Sequence, residues 1–252
     1  MSIPTFKTVN NPVTGVFGNG NQQWFTSSGT FYVPAGVNAV RVRLWGGGAG
    51  NTGNYSSAGG FSLKTIYDLN GVSSVYVSVG SGGYNAAGGT SSFGGFVSAT
   101  GGATSGSVAP VSGSGFGGDI NNSGGTSSYV YIGAGVASLF GNGNNPGTAS
   151  AINGGAGGGA ISSGVTNGYV GGSGFMSTGG IYVTNNSTAG YYPPTAGPYL
   201  TTGSIDYIGC GGGGAFYQPG VNGGGAGRSS TGGFPGGSGG DAGANGLVIV
   251  EW

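Results

Sequence analysis

Tyrosine and asparagine carry the most distinctive chemistry in this chain. They are concentrated, together with Thr, Ser and Pro, in short stretches between glycine clusters: residues 129–132, 136–148, 161–170, 181–200, 215–221 and 229–235. Aromatic side chains anchor a partner with little loss of side-chain entropy, and small polar groups adapt their hydrogen bonds to it. The composition of these stretches predicts recognition loops. The candidate binding residues are Tyr129, Tyr131, Tyr169, Tyr182, Asn185, Asn186, Tyr191, Tyr192, Tyr199, Phe216 and Tyr217.

Residues for enzymatic chemistry are few. The chain has no His, which removes His-based acid–base catalysis, Ser-His-Asp triads and His metal sites. Cys210 stands alone, so no disulfide forms within the chain, and its thiol lacks a base that would activate it. We interpret Cys210 as a small buried residue between glycine segments.

The acidic residues are scattered along the chain as Asp68, Asp119, Asp206, Asp241 and Glu251. A glycosidase pair made of Asp119 with Asp206 or Asp241 stays open, as does a Ca²⁺ site at Asp119 or Asp241. The spacing favours turn and cap carboxylates instead. Residues 113–118 match G-x-G-x-x-G, but no helix follows, so we discard a dinucleotide loop. We therefore predict a protein that is not an enzyme and that has no cofactor and no metal.

Composition restricts the class of partner. The net charge is zero and only 4% of residues are charged, so no basic patch could follow the phosphates of a nucleic acid. The first residues, MSIPTFKTVNN, have neither the basic nor the apolar region of a signal peptide, and no apolar run approaches a membrane span. We expect neither nucleic-acid binding nor membrane insertion.

Glycine makes up 67 of the 252 residues, clustered mostly between residues 80 and 245. Interior glycine disfavours helix and ordinary strand, and the lack of a Gly-X-Y period excludes collagen. The remaining ordered structure is a bundle of polyproline-II helices made of glycine, or polyglycine II. Hydrogen bonds between neighbouring segments would then pair the backbone groups.

Predicted strands lie on both sides of the glycine clusters, at residues 30–34, 37–45, 61–66, 72–79 and 246–252. We predict an all-β protein, a small sandwich or sheet with a glycine-rich polyglycine-II-like insert and long loops. The predicted parts are an attachment segment at 1–28, a β scaffold at 29–99 and 246–252, and a glycine-rich receptor-binding region at 100–245. Residues 1–28 either contribute edge strands or pack as an arm.

Two expectations concern the ends of the scaffold. Residues 37–45 and 247–252 are predicted to share one sheet, which would bring together the two ends of the insert. Glu251 is the one carboxylate in its strand, and we expect it to pair with Arg41 or Arg43 across strands.

Several motifs together resemble the glycine-rich tip domain of bacteriophage tail fibres. They are FYVPAGV at 31–37, WGGG at 45–48, VSVGSGG at 77–83, GTSSF at 89–93, SATGG at 98–102 and GLVIVEW at 246–252. The insert is similar to the distal adhesins of T-even-type phages. The resemblance implies a polyglycine-II bundle, variable segments that contact a bacterial receptor, and a place in the virion at the tail or fibre tip. It runs from about residue 29 to residue 252.

The leading hypothesis is therefore a phage adhesin, made in the host cytoplasm, that binds a surface polysaccharide or outer-membrane protein. Fibre proteins of this family carry a long shaft before the tip, whereas about 28 residues precede it here. We expect those residues to dock on a fibre, a baseplate or a sister subunit, with a homotrimer as one assembly. The alternatives are a structural tail or capsid decoration protein, an ice-binding or cell-surface glycine-rich protein, and a polysaccharide depolymerase.

Overall fold

The computed structural model describes residues 21–50, 54–127, 132–146, 205–209, 222–226 and 230–252, together with Ala156 and Gly220, and the backbone of four further strands within residues 161–192. The chain is all-β, as predicted, and a 3-10 turn lies at Ile205–Tyr207. The strands are β1 (Gln22–Phe25), β2 (Gly29–Tyr32), β3 (Val40–Trp45), β4 (Tyr55–Ser56), β5 (Phe61–Ile66), β6 (Ser74–Ser78), β7 (Ser91–Phe93), β8 (Val97–Ala99), β9 (Thr104–Ser105), β10 (Gly115–Phe116), β11 (Ile120–Asn122), β12 (Ile161–Ser162), β13 (Gly168–Val170), β14 (Ile181–Asn185), β15 (Thr188–Tyr192) and β16 (Leu247–Glu251).

Two five-stranded antiparallel sheets enclose the main side-chain core. Sheet A has the order β1-β16-β3-β5-β11, and sheet B has the order β10-β8-β7-β6-β2. The alternating pattern of each strand sends every second residue inward. Phe31 and Phe93 from sheet B meet Val42, Leu44 and other apolar residues of sheet A in this core. Phe31 and Phe93 are fully buried, with ring centroids 5.9 Å apart.

Strand β3 is buried on both faces: Val40, Val42 and Leu44 lie in the core between the sheets, and Arg43 and Trp45 are buried on the opposite face. Its pairing with β16 places Trp45 opposite Leu247 and Arg41 opposite Glu251. The predicted adjacency of the two strands is therefore confirmed. Trp45 and Leu247 belong to a second buried cluster on the other side of sheet A.

The predicted ion pair of Glu251 is also confirmed, and it involves both arginines. Glu251 is fully buried and accepts hydrogen bonds from Arg41 at 2.8 and 2.9 Å and from Arg43 at 2.9 Å. The hydrogen bonds to Glu251 raise the pKa of the Arg41 guanidinium above its ordinary value. Arg43, also buried, forms a second ion pair with Asp206. Removal of one partner would leave a buried charge uncompensated, so substitution of Arg43 or Glu251 alone should destabilise the fold.

The sandwich extends beyond the predicted scaffold. Strand β1, which lies in the predicted attachment segment, pairs with β16, and Trp24 is opposite Ile249. Strands β10 and β11, which lie in the predicted glycine-rich region, pair with β8 and β5. The sequence boundaries at residues 28 and 100 therefore fall inside one folded unit.

Candidate functional site

Residues 46–50, here called the central segment, continue directly from β3 and have a backbone period of three. Their first and fourth N–H groups donate to residues 57–60, their second and fifth donate to residues 86–89, and the third donates to Ala244, at N···O distances of 2.8–3.1 Å. N–H groups that repeat their direction every third residue belong to a helix of three residues per turn. That is the period of polyproline II, in which neighbouring N–H groups diverge by about 120°.

Three further segments surround the central segment from the carbonyl side. The carbonyl groups of residues 47–49 accept hydrogen bonds from Gly102, Gly83 and Gly239 at 2.9–3.1 Å. Three neighbours accept hydrogen bonds from the central segment and three others donate to it. The central segment therefore lies at the middle of a six-neighbour, hexagonal arrangement.

Residues 57–60 repeat this pattern. The first and last of them donate to residues 100–103, and the two between them donate to Gly125 and Gly236. Their own carbonyl groups accept hydrogen bonds from other segments, among them the central one. We call the whole set of laterally bonded segments the glycine bundle. Residues 46–50 and 57–60 of this bundle lie within the predicted scaffold at 29–99 and before the glycine clusters at 80–245.

Close approach of backbones explains the need for glycine. A Cβ atom added at Gly46, Gly47 or Gly48 would lie 2.1 or 2.2 Å from a backbone oxygen of another segment. These three consecutive residues face three different neighbours, namely residues 100–101, 80–81 and 236–237. A side chain is therefore excluded in all three directions, for the same steric reason as at the collagen axis.

Asparagine side chains complete the hydrogen bonds of some outer segments. The Oδ1 atoms of Asn142 and Asn145 accept from the backbone N–H groups of Ser123 and Thr126 at 2.8 Å. Donors and acceptors are both three residues apart, so the side chains follow the period of the segment that they cover. The recognition-loop prediction had included both asparagines within 136–148. The three-residue spacing of Asn142 and Asn145 in the sequence is a signal of this hydrogen-bonding role.

The tyrosine-rich segment, defined as residues 157–204, contains a four-stranded antiparallel sheet with the order β12-β13-β14-β15. Its register aligns Tyr169 with Tyr182, and Tyr182 with Tyr191. Three of the predicted binding residues therefore form one cross-strand row, with Ser162 at its end. Residues in one such row share a face of the sheet.

The expectation of a loop over residues 181–200 is wrong for β14 and β15. These strands form a hairpin in which Asn185 is paired with Thr188, leaving two residues between them. Tyr192 is opposite Ile181, in the row adjacent to the tyrosine row. Among the other predicted binding residues, Tyr129, Tyr131, Asn186, Tyr199, Phe216 and Tyr217 lie outside the described residues, as does Cys210.

Both ends of the tyrosine-rich segment reach the second buried cluster. Ala156 precedes the segment and Ile208 follows it, and both are buried in the cluster that contains Trp45. The ion pair of Asp206 with Arg43 holds the following end against β3. The residues that precede and follow the segment therefore lie at one part of the core.

The described carboxylates outside this ion-pair cluster include two that stabilise turns or strand ends. Asp119 accepts from the backbone N–H of Thr65 at 2.7 Å, and Asp68 accepts from that of Asn70 at 3.1 Å. Among the residues that the structure describes, no three His, Cys, Asp or Glu side chains form a group that could hold a metal ion. In the same part of the chain, no helix has the length and apolar character needed to cross a membrane.

Comparison with family models and with curated proteins found no match to this chain. The resemblance to phage fibre tips therefore rests on the motifs quoted above.

Proposed function

We propose that the chain is a bacteriophage adhesin at the tail or fibre tip that binds a bacterial surface polysaccharide or outer-membrane protein. The observation that supports this most is the row of Tyr169, Tyr182 and Tyr191 in the sheet of the tyrosine-rich segment, a segment that is flanked by Ala156 and Ile208 of one core cluster. Recognition residues are commonly presented by segments that a rigid scaffold positions.

The row suits recognition for a chemical reason. Adjacent strands lie about 4.8 Å apart, so the three tyrosines span roughly 10 Å between their Cα atoms. Tyrosine contributes a large contact area and a hydroxyl group while losing few rotamers. Binding to sugar rings or to an exposed protein loop uses this combination, and several copies on one particle would raise the avidity.

The glycine bundle supplies the rigidity in this proposal. Its segments are bonded laterally on several sides, so displacement of one segment would break hydrogen bonds to others. No catalytic group is assigned, and the adhesin acts by binding alone.

In this proposal the attachment segment is shorter than residues 1–28. Because β1 is part of the sandwich, the residues that would dock on a fibre, a baseplate or a sister subunit are those before Gln22. A homotrimer is one assembly compatible with this proposal.

The test is cell binding by the full-length, fluorescently labelled protein across a panel of Gram-negative strains. We expect the wild type to bind at least one strain. The double variant Tyr182→Ser/Tyr191→Ser should bind that strain about 100-fold more weakly, about tenfold for each aromatic anchor removed.

The matched control is Tyr67→Ser/Tyr84→Ser, which removes two exposed tyrosines outside the tyrosine-rich segment. It should bind as the wild type does, and all three proteins should share one melting temperature. Absence of binding to every strain would contradict the proposal. Equal losses in the two double variants would contradict it as well.

A further inference from the structure

The outward face of sheet B has an unusual composition. The residues that point away from the sandwich core on β2, β6, β7, β8 and β10 are all Ser, Thr, Tyr or Phe. They are Thr30, Tyr32, Ser74, Tyr76, Ser78, Ser92, Ser98 and Phe116. We call this surface the aromatic–hydroxyl face. None of its residues is charged and all but Phe116 carry a hydroxyl group.

Its aromatic side chains are strongly exposed: Tyr32 by 74%, Tyr76 by 62% and Phe116 by 53%. Tyr76 is opposite Thr30, which places Tyr32 diagonally across from it on the same face. Diagonal neighbours lie about 7–8 Å apart, within reach of aromatic rings. The two tyrosines thus form one exposed platform on the β2–β6 pair.

Phe116 lies at the opposite edge of the sheet, and a row of serines connects the two sides. The register runs from Phe116 through Ser98 and Ser92 to Ser78, the outward neighbour of Tyr76 on β6. Three strand spacings separate β10 from β6, so Phe116 and Tyr76 lie roughly 15 Å apart. A ligand that touched both Phe116 and the tyrosine platform would have to be an extended molecule.

An open groove of about 250 Å³ lies beside Phe116. It is lined by Gly94, Phe96 and Ser98 and by Gly117 on the other side. The Lys64 ammonium donates to the Gly117 carbonyl at 2.7 Å, so one positive charge lies beside the groove. The residues that line the groove are themselves uncharged, like those of the face.

We propose that the aromatic–hydroxyl face binds a neutral, extended polysaccharide. Exposed aromatic rings present flat surfaces on which the C–H faces of sugar rings stack, and the hydroxyls between them match sugar hydroxyls as donors and acceptors. The absence of charge on the face gives no attraction for acidic or basic polymers. Serine is depleted at protein–protein interfaces whereas tyrosine and phenylalanine are enriched there, so a second copy of this chain is the competing occupant, and the oligomeric state tests it.

This inference does not depend on the proposed function, because it concerns a different surface from the tyrosine-rich segment. The test is affinity electrophoresis of the full chain in native gels that contain dextran, laminarin or galactomannan. We expect at least one of these neutral polymers to retard the wild type. An equal mass of alginate, an anionic polymer, should not.

Two variants locate the binding. Tyr32→Ala/Tyr76→Ala and Phe116→Ala should each raise the apparent Kd roughly tenfold or more, the effect of losing an aromatic anchor. The matched control, Tyr67→Ala/Tyr84→Ala, removes tyrosines of similar exposure, 69% and 73%, that lie outside the face. It should leave the Kd unchanged.

The inference would be wrong if no neutral polymer retarded the wild type, or if alginate retarded it equally. It would also be wrong if the control variant lost as much affinity as the two face variants, or if only Tyr182→Ser/Tyr191→Ser lost affinity. Sedimentation equilibrium gives one more test, since dissociation of an oligomer on Tyr32→Ala/Tyr76→Ala substitution would assign the face to a second copy.

Discussion

The β-sandwich and the glycine bundle are two cores built from opposite parts of the polypeptide. Between sheets A and B, side chains such as Phe31 and Phe93 fill the interior, and backbone groups pair along the strands. In the bundle, the backbones themselves fill the interior, and the space left for a side chain at Gly47 is nil.

The difference concerns what each core tolerates. A side-chain core accepts substitutions that preserve apolar volume, because side chains repack around a new shape. The core around Gly46, Gly47 and Gly48 has no such adjustable part, since the nearest neighbours of these residues are peptide groups. The smallest addition to glycine, one methyl group, should therefore be damaging in the bundle.

The largest effect is expected in the sandwich from Phe93→Ala, which leaves a cavity among fully buried residues. We expect a loss of about 4 kcal/mol in the free energy of unfolding, measured by urea denaturation. Phe93→Leu keeps most of the volume and should cost roughly 1.5 kcal/mol. If Leu were as damaging as Ala, the sandwich would be no more adjustable than the bundle.

Gly47→Ala should cost roughly 3 kcal/mol, because the new Cβ would meet the carbonyl of Ser81 at 2.2 Å and the backbone would have to move. Gly95→Ala is the control, since nothing lies within 4 Å of the added atom. That variant should match the wild type or gain about 0.4–1 kcal/mol by reducing the entropy of the unfolded chain. Similar melting temperatures for the two variants would remove the distinction between the cores.

Asn142→Ala should have the smallest effect, about 1 kcal/mol, because it leaves the N–H of Ser123 without its side-chain acceptor at the edge of the bundle. Asn142→Asp retains an acceptor oxygen and should preserve most of the stability. Thermal unfolding of both variants checks this. An Asp variant as unstable as the Ala variant would show that hydrogen-bond acceptance by residue 142 is not what matters there.

Side-chain pattern predicted the parts of the fold that side chains build. The alternation in β3, the apolar run of β16, their adjacency and the ion pair of Glu251 with Arg41 and Arg43 all follow from residue type and spacing. The hairpin of β14 and β15 had the same signal, since Ile181 and Val183 alternate with Tyr182 and Thr184. The Asn- and Pro-rich surroundings led instead to the prediction of a loop.

The arrangement of the glycine segments could not be predicted in the same way. A glycine segment carries no side chain to specify which neighbour it joins, so the sequence does not show that residues 46–50 lie at the centre. Their position follows from β3, which delivers the chain into the bundle at that point. Likewise, the row of Tyr169, Tyr182 and Tyr191 depends on a register that joins three separate stretches.

The shared anchorage of Ala156 and Ile208 has a consequence for how this chain can diversify. Since the two ends of the tyrosine-rich segment are held by the core, its length enters stability mainly through the entropy of closing a loop. Doubling a flexible loop costs only about 0.6 kcal/mol. Insertions, deletions or whole exchanged cassettes within residues 157–204 would therefore leave the sandwich and the bundle folded, and the molecule can acquire a new specificity by recombination at two fixed joints.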